Sequence, residues 1–106
     1  MSYRFMRILV FFDLPVETSA QQREYRQFSK FLVRNGFVMM QESVYSKIVL
    51  NPTAAAAVQE NVRKHKTSGG LIEMMLVTER QFERIEIVVG EPQSEVVDSD
   101  DKLVIL

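Results

Sequence analysis

The sequence predicts an α+β domain in which two amphipathic helices lie on one side of a small antiparallel sheet. Three observations predict it. Short apolar runs alternate with two longer stretches of helical period. Glycine, proline and asparagine fall between those runs, where strands and helices would end. The first run, "MRILVFFD", is apolar on both alternating sides, as a central covered strand is.

Met6 to Asp13 reads as the first strand, with Met6, Ile8, Val10 and Phe12 on one side and Leu9 and Phe11 on the other. It ends on an acid, Asp13, immediately before Leu14-Pro15. Residues 19 to 34 then predict a helix with Tyr25, Phe28, Phe31 and Leu32 as its core face. Ser19 with Gln22 suggests its capping box, and Asn35-Gly36 its stop. "FVMMQ" and "SVYSKIVL" predict two strands joined tightly around Glu42. Asn51-Pro52 opens a second helix, "TAAAAVQENVRKH", with proline at its favoured first position. Gly69-Gly70 is a turn; it lacks the lysine and the strand-to-helix placement of a phosphate loop. "LIEMMLV" predicts a fourth strand and "FERIEIVV" a fifth, with Arg84 and Glu86 on its polar side.

The first six elements match the split βαβ pattern of ferredoxin-like domains, βαββαβ, here with an added C-terminal strand. Two helices cover one face of such a sheet, yet its first and fourth strands offer apolar residues to both. A symmetric homodimer is the economical cover for the second face. The chain thus divides into a ferredoxin-like domain over 1–90 and an acidic C-terminal segment over 91–106. The latter ends in a short apolar strand, "LVIL", for which three readings stand: docking on its own sheet, docking on the partner's, or simple disorder.

At 106 residues the chain holds a single core. The absence of cysteine excludes disulfides and thiolate metal sites and makes a cytoplasmic location the default. No apolar run approaches the roughly 18 residues of a membrane span. The N-terminus carries an arginine inside its apolar stretch, unlike a secretory leader, so no membrane partner is expected. Residues 91–106 carry a net −4, which leaves +3 on the body for a total of −1. A nucleic-acid partner is therefore compatible with the near-neutral total, because local surface charge sets the attraction.

Arg23, Arg26, Lys30 and Arg34 form one basic stripe on the first helix, opposite its aromatic face, with Glu24 the only acid in that helix. A solvated helix face is one reading. Contacts to a phosphate backbone are the other, since solvated faces ordinarily mix signs. "RKHK" at 63–66 is a second basic patch, and its His65 is the single histidine, which excludes a serine–histidine triad within one chain. Asp13 is either a turn former or a magnesium ligand; magnesium takes one or two carboxylates and keeps several waters. The aromatics include no glycine- and aromatic-rich run of the kind that stacks single-stranded RNA on a sheet.

Together, "ILVFFD", a basic helix closing on "RNG" and then "MMQESVY" resemble the small CRISPR-associated (Cas) adaptation protein family. This is the second of the two near-universal Cas proteins, often labelled a CRISPR-associated endoribonuclease. The matching positions are Phe12, Asp13, Gly36, Gln41, Ser43, Val44 and Tyr45, and the resemblance covers roughly residues 5 to 90. Arg23 and Arg26 fall in the family's basic region. The apolar "FVMM" lacks the basic residue that precedes the glutamine in some nuclease-active members. The resemblance implies a ferredoxin-like homodimer whose two Asp13 carboxylates share a magnesium ion, with Phe12, Ser43 and Tyr45 in support. It further implies spacer acquisition, with binding of double-stranded DNA alongside the adaptation integrase. Members are reported to cleave single-stranded RNA or double-stranded DNA. Three function classes follow: a metal-dependent endonuclease, a non-catalytic DNA-binding adaptor, and a ferredoxin-like regulatory ligand-binding domain. The last leaves the basic stripe without a purpose.

Overall fold

The computed structural model describes residues 5–65 and 67–92. The elements run β1 (Met6–Asp13), α1 (Ser19–Arg34), β2 (Val38–Gln41), β3 (Val44–Val49), α2 (Pro52–Lys64), β4 (Leu71–Thr78) and α3 (Glu79–Phe82). The four strands form one sheet in the order β2-β3-β1-β4. β1 is antiparallel to both of its neighbours, and β2 to β3. This is the expected ferredoxin-like βαββαβ arrangement, with β1 at the centre.

The sheet's two faces follow from the pleat. Ile8, Val10 and Phe12 of β1 join Phe28 and Leu32 of α1, Ala55 and Val62 of α2, and Tyr45 and Val49 of β3 in one buried cluster. Phe28, Ile8, Leu32 and Val10 are fully enclosed, each contributing roughly 1.5–3 kcal/mol by burial. Arg7, Leu9, Phe11 and Asp13 alternate to the opposite face. There the registers align Val38, Ser46, Leu9 and Met75 in one row across the sheet, and Ile48, Arg7 and Val77 in the next.

Helix α1 has the expected bounds, but its capping box lies one residue earlier than expected. Thr18, not Ser19, is the N-cap; its hydroxyl accepts from the Gln21 amide, and the Gln21 side chain accepts from the Thr18 amide. The same T-x-x-Q device recurs at Thr78–Gln81, and it corrects the expected fifth strand. The cap nucleates α3 directly after β4, so residues 79–82 turn helically, and residues 83–89 form no strand in the single chain described. The segment is anchored beside β1. Arg7 makes a bidentate pair with Glu79 at 2.8 and 3.0 Å, and its guanidinium sits 4.0 Å over the Phe82 ring. A cleft of about 820 Å³ lies between Arg7, β2 and residues 82–92. The chain itself therefore covers part of the second face. The expected "LVIL" strand lies outside the described residues. Among those residues no helix is long and apolar enough to cross a membrane.

Candidate functional site at the end of β1

The candidate site grows from the last residue of β1. Phe12 points into the core, where its ring meets Phe28 edge-on at 5.0 Å, Tyr25 at 5.5 Å and Tyr45 at 5.8 Å. That packing fixes the strand end, and the pleat then sends Asp13 to the other side, exposed. No hydrogen bond or ion pair engages the Asp13 carboxylate among the described residues. A turn-forming aspartate would bond its own following backbone; this one does not.

Two turns flank Asp13. On the β3 side, Glu42 and Ser43 connect β2 to β3, and the Phe12 amide donates to the Ser43 carbonyl at 3.0 Å. Ser43 takes φ 70°, the left-handed conformation that only a few per cent of non-glycine residues adopt. Its hydroxyl lies 3.0 Å from the Tyr25 hydroxyl. On the β4 side, Leu71 pairs with Asp13, and Gly70 precedes it at φ +87°. A Cβ on Gly70 would lie 2.7 Å from the Asp13 carbonyl oxygen and 2.7 Å from a Leu14 methyl. The turn leading to Gly70 is tied to α1: the Glu24 carboxylate accepts from both the Ser68 amide and the Ser68 hydroxyl, each at 3.0 Å.

Arg23, Arg26, Lys30 and Arg34 are all exposed, and none forms an ion pair among the described residues. Glu24, the one acid in their helix, is turned to Ser68. The four cations thus face solvent without a direct ion pair among the described residues, with Glu24 the one opposing charge in their helix. "RKHK" behaves differently. Arg63 pairs with Glu60 at 2.9 Å, and the His65 ring stacks on Phe31 at 4.0 Å, where it covers the core. Lys66 lies outside the described residues.

The structure thus gathers Asp13, Ser43, Phe12 and Tyr45 at one end of the sheet, the latter two buried as support. Glu24, Tyr25, Ser68 and Gly70 join them there, a place that sequence reasoning does not assign to them. A glycine after a polar turn is a signal for Gly70. Nothing local announces the Glu24–Ser68 contact between residues 44 apart.

A family model described as CRISPR associated protein Cas2 matches residues 6–85. A Treponema denticola protein named CRISPR-associated endoribonuclease Cas2 is 45% identical over 101 residues, covering 95% of this chain and 100% of that one. A protein of the same name from Streptococcus mutans serotype c is 40% identical over 101 residues, covering 95% and 93%. Among solved structures, Streptococcus pyogenes Cas2 at pH 6.5 gives a TM-score of 0.60 at 21% identity, over 78% of this chain and 99% of that one. At that identity the likeness speaks for the fold.

Proposed function

The chain belongs to the Cas2 family of CRISPR-associated proteins, and on that footing we propose that it serves spacer acquisition as a cytoplasmic homodimer. It binds double-stranded DNA together with the adaptation integrase, and Asp13 equips it for magnesium-dependent cleavage of DNA or RNA. The observation that carries this reading is the exposed, unengaged Asp13 carboxylate held at the end of a rigid central strand.

The donor set fits magnesium. The exposed carboxylate of Asp13 is a hard oxygen ligand, the donor type magnesium takes one or two at a time while keeping several waters, and in a homodimer the second would be the Asp13 of the other copy. Held there, such an ion would supply positive charge to polarise a phosphodiester and to acidify a water. The residues of the chain do the rest. Phe12 and Tyr45 lock the strand end, Asp13 presents its oxygens, and Arg23, Arg26, Lys30 and Arg34 hold the phosphate backbone without reading its sequence.

The test is cleavage of end-labelled duplex DNA and single-stranded RNA by wild type and Asp13→Ala, with magnesium and with chelator. Cleavage that requires magnesium and drops to the chelator level in the variant supports the reading and names the substrate class. Equal cleavage by both proteins removes Asp13 from the chemistry. A second reading, the non-catalytic DNA-binding adaptor, is favoured by the uncompensated basic stripe, which needs no metal to hold a duplex. An inactive wild type that still binds duplex DNA selects it.

A further inference from the structure

Glu24 and Tyr25 are consecutive residues on α1, placed between Arg23 and Arg26 of the basic stripe. Each reaches a different one of the two turns that flank Asp13. Glu24 holds Ser68, and with it the 67–70 turn whose Gly70 backbone rests against the Asp13 carbonyl. The Tyr25 hydroxyl meets Ser43, whose carbonyl accepts from the amide of Phe12. From this convergence we infer that Glu24 and Tyr25 are positioning residues for the Asp13 carboxylate. They make α1 a brace that fixes the acid from both sides.

The inference rests on the proposed role of Asp13 and deepens it. Three features support it. Gly70 lacks a side chain, so its turn approaches Asp13 closely, and any slack in the turn is passed to the backbone of the acid. Ser43 is held at a positive φ that L residues rarely adopt, which the surrounding contacts must offset, and the Tyr25 hydroxyl is one of them. Finally, the brace carries the stripe. A phosphate backbone drawn to Arg23 and Arg26 pulls on the same helical turn that anchors both flanks of Asp13, so the polymer and the carboxylate are held in one frame.

The test uses the full chain and manganese(II) alone as a paramagnetic probe of the magnesium site, titrated while the backbone amide signals of Asp13 and its neighbours are followed. Wild type, Asp13→Ala, Glu24→Ala, Glu24→Gln and Tyr25→Phe are compared, with thermal midpoints recorded for each. Tyr25→Phe removes only the hydroxyl and keeps the ring against Phe12. Glu24→Gln keeps one acceptor oxygen for Ser68. The expected result is saturable broadening around Asp13 in wild type, lost in Asp13→Ala. Its midpoint rises about tenfold in Glu24→Ala and Tyr25→Phe, as when an outer partner of a ligand is removed, and recovers in part in Glu24→Gln. Wild-type midpoints in both variants overturn the brace while leaving the Asp13 reading intact. A midpoint that follows thermal stability alone, with Glu24→Gln no better than Glu24→Ala, also overturns it, since a merely structural role would give that pattern. Wild type without Asp13-dependent broadening sinks the metal reading, and the brace falls with it.

Discussion

Gly69 and Gly70 are neighbours with the same side chain and opposite constraints. Gly69 has no heavy atom within 4 Å of where a Cβ would stand, whereas Gly70 combines φ +87° with a 2.7 Å approach to the Asp13 carbonyl. Alanine at position 69 therefore restricts the unfolded chain without a clash, and its effect is expected to lie within about ±1 kcal/mol. Alanine at position 70 adds left-handed strain and a steric conflict with the backbone of Asp13, an expected loss of roughly 2–4 kcal/mol. In a domain of this size the thermal midpoint should fall by at least about 8 °C for Gly70→Ala and stay near wild type for Gly69→Ala. Equal midpoints for the two would show that the 67–70 turn does not press on Asp13.

Helix α1 separates charge that is available from charge that is spent within the fold. Arg23, Arg26 and Lys30 face solvent without partners among the described residues, while Arg63 on α2 is held by Glu60. Replacing the first three together by glutamine keeps helix propensity and should leave the thermal midpoint little changed. Duplex affinity should fall, and the slope of log affinity against log salt should become shallower by about 2 to 3, one unit or slightly less for each phosphate no longer neutralised. Arg63→Gln should leave that slope unchanged. An unaltered slope in the triple variant would return the stripe to an ordinary solvated face. The elements that carry these residues are legible in the sequence because their signals are local. The eight residues of β1 and the sixteen of α1 fall at the expected bounds, set by alternation, helical period and Asn35-Gly36. Where local signals compete, the sequence alone misleads. Thr18 and Ser19 both suit an N-cap, and only the Gln21 side chain returning to Thr18 decides between them. Over 82–89 the apolar alternation points to a strand, but the Thr78–Gln81 box and the Arg7–Glu79 pair, joining residues 72 apart, turn the chain before a ladder can start. Asp13 itself is legible as an acid ending an apolar strand. The contacts that frame it run through Glu24, Ser68, Tyr25 and Ser43, and no periodicity encodes such long-range pairs.

The second face of the sheet decides how many chains make the functional molecule. Residues 79–92 cover part of it, with Leu9, Ser46 and Val77 buried, yet Leu71 and Met75 on β4 each remain 55% exposed beside Asp13 and Leu9. A strand pair that offers a leucine, a methionine and an acid to solvent is poorly disposed for a lone domain and well disposed for a two-fold interface, in which each apolar row meets its copy. In the proposed homodimer, an axis that buries Met75 would bring the two Asp13 carboxylates toward each other; their repulsion would oppose the association, and a shared divalent ion would remove it. Sedimentation equilibrium at micromolar concentration should accordingly report a dimer for wild type. Met75→Glu, which buries a charge without a partner, should weaken it by about a hundredfold or more, equivalent to ~2.7 kcal/mol. Magnesium should tighten the wild-type dimer by mass action, since an ion held by both copies binds the dimer in preference to the monomer. In Asp13→Ala the dimer should be insensitive to magnesium and, freed of the repulsion, at least as tight as wild type in chelator. A monomeric wild type would reject the two-fold site altogether. A dimer equally indifferent to magnesium in both proteins would keep the interface and remove the shared ion from it, and the basic stripe, duplicated by symmetry, would then be the feature left to carry the proposed nucleic-acid role.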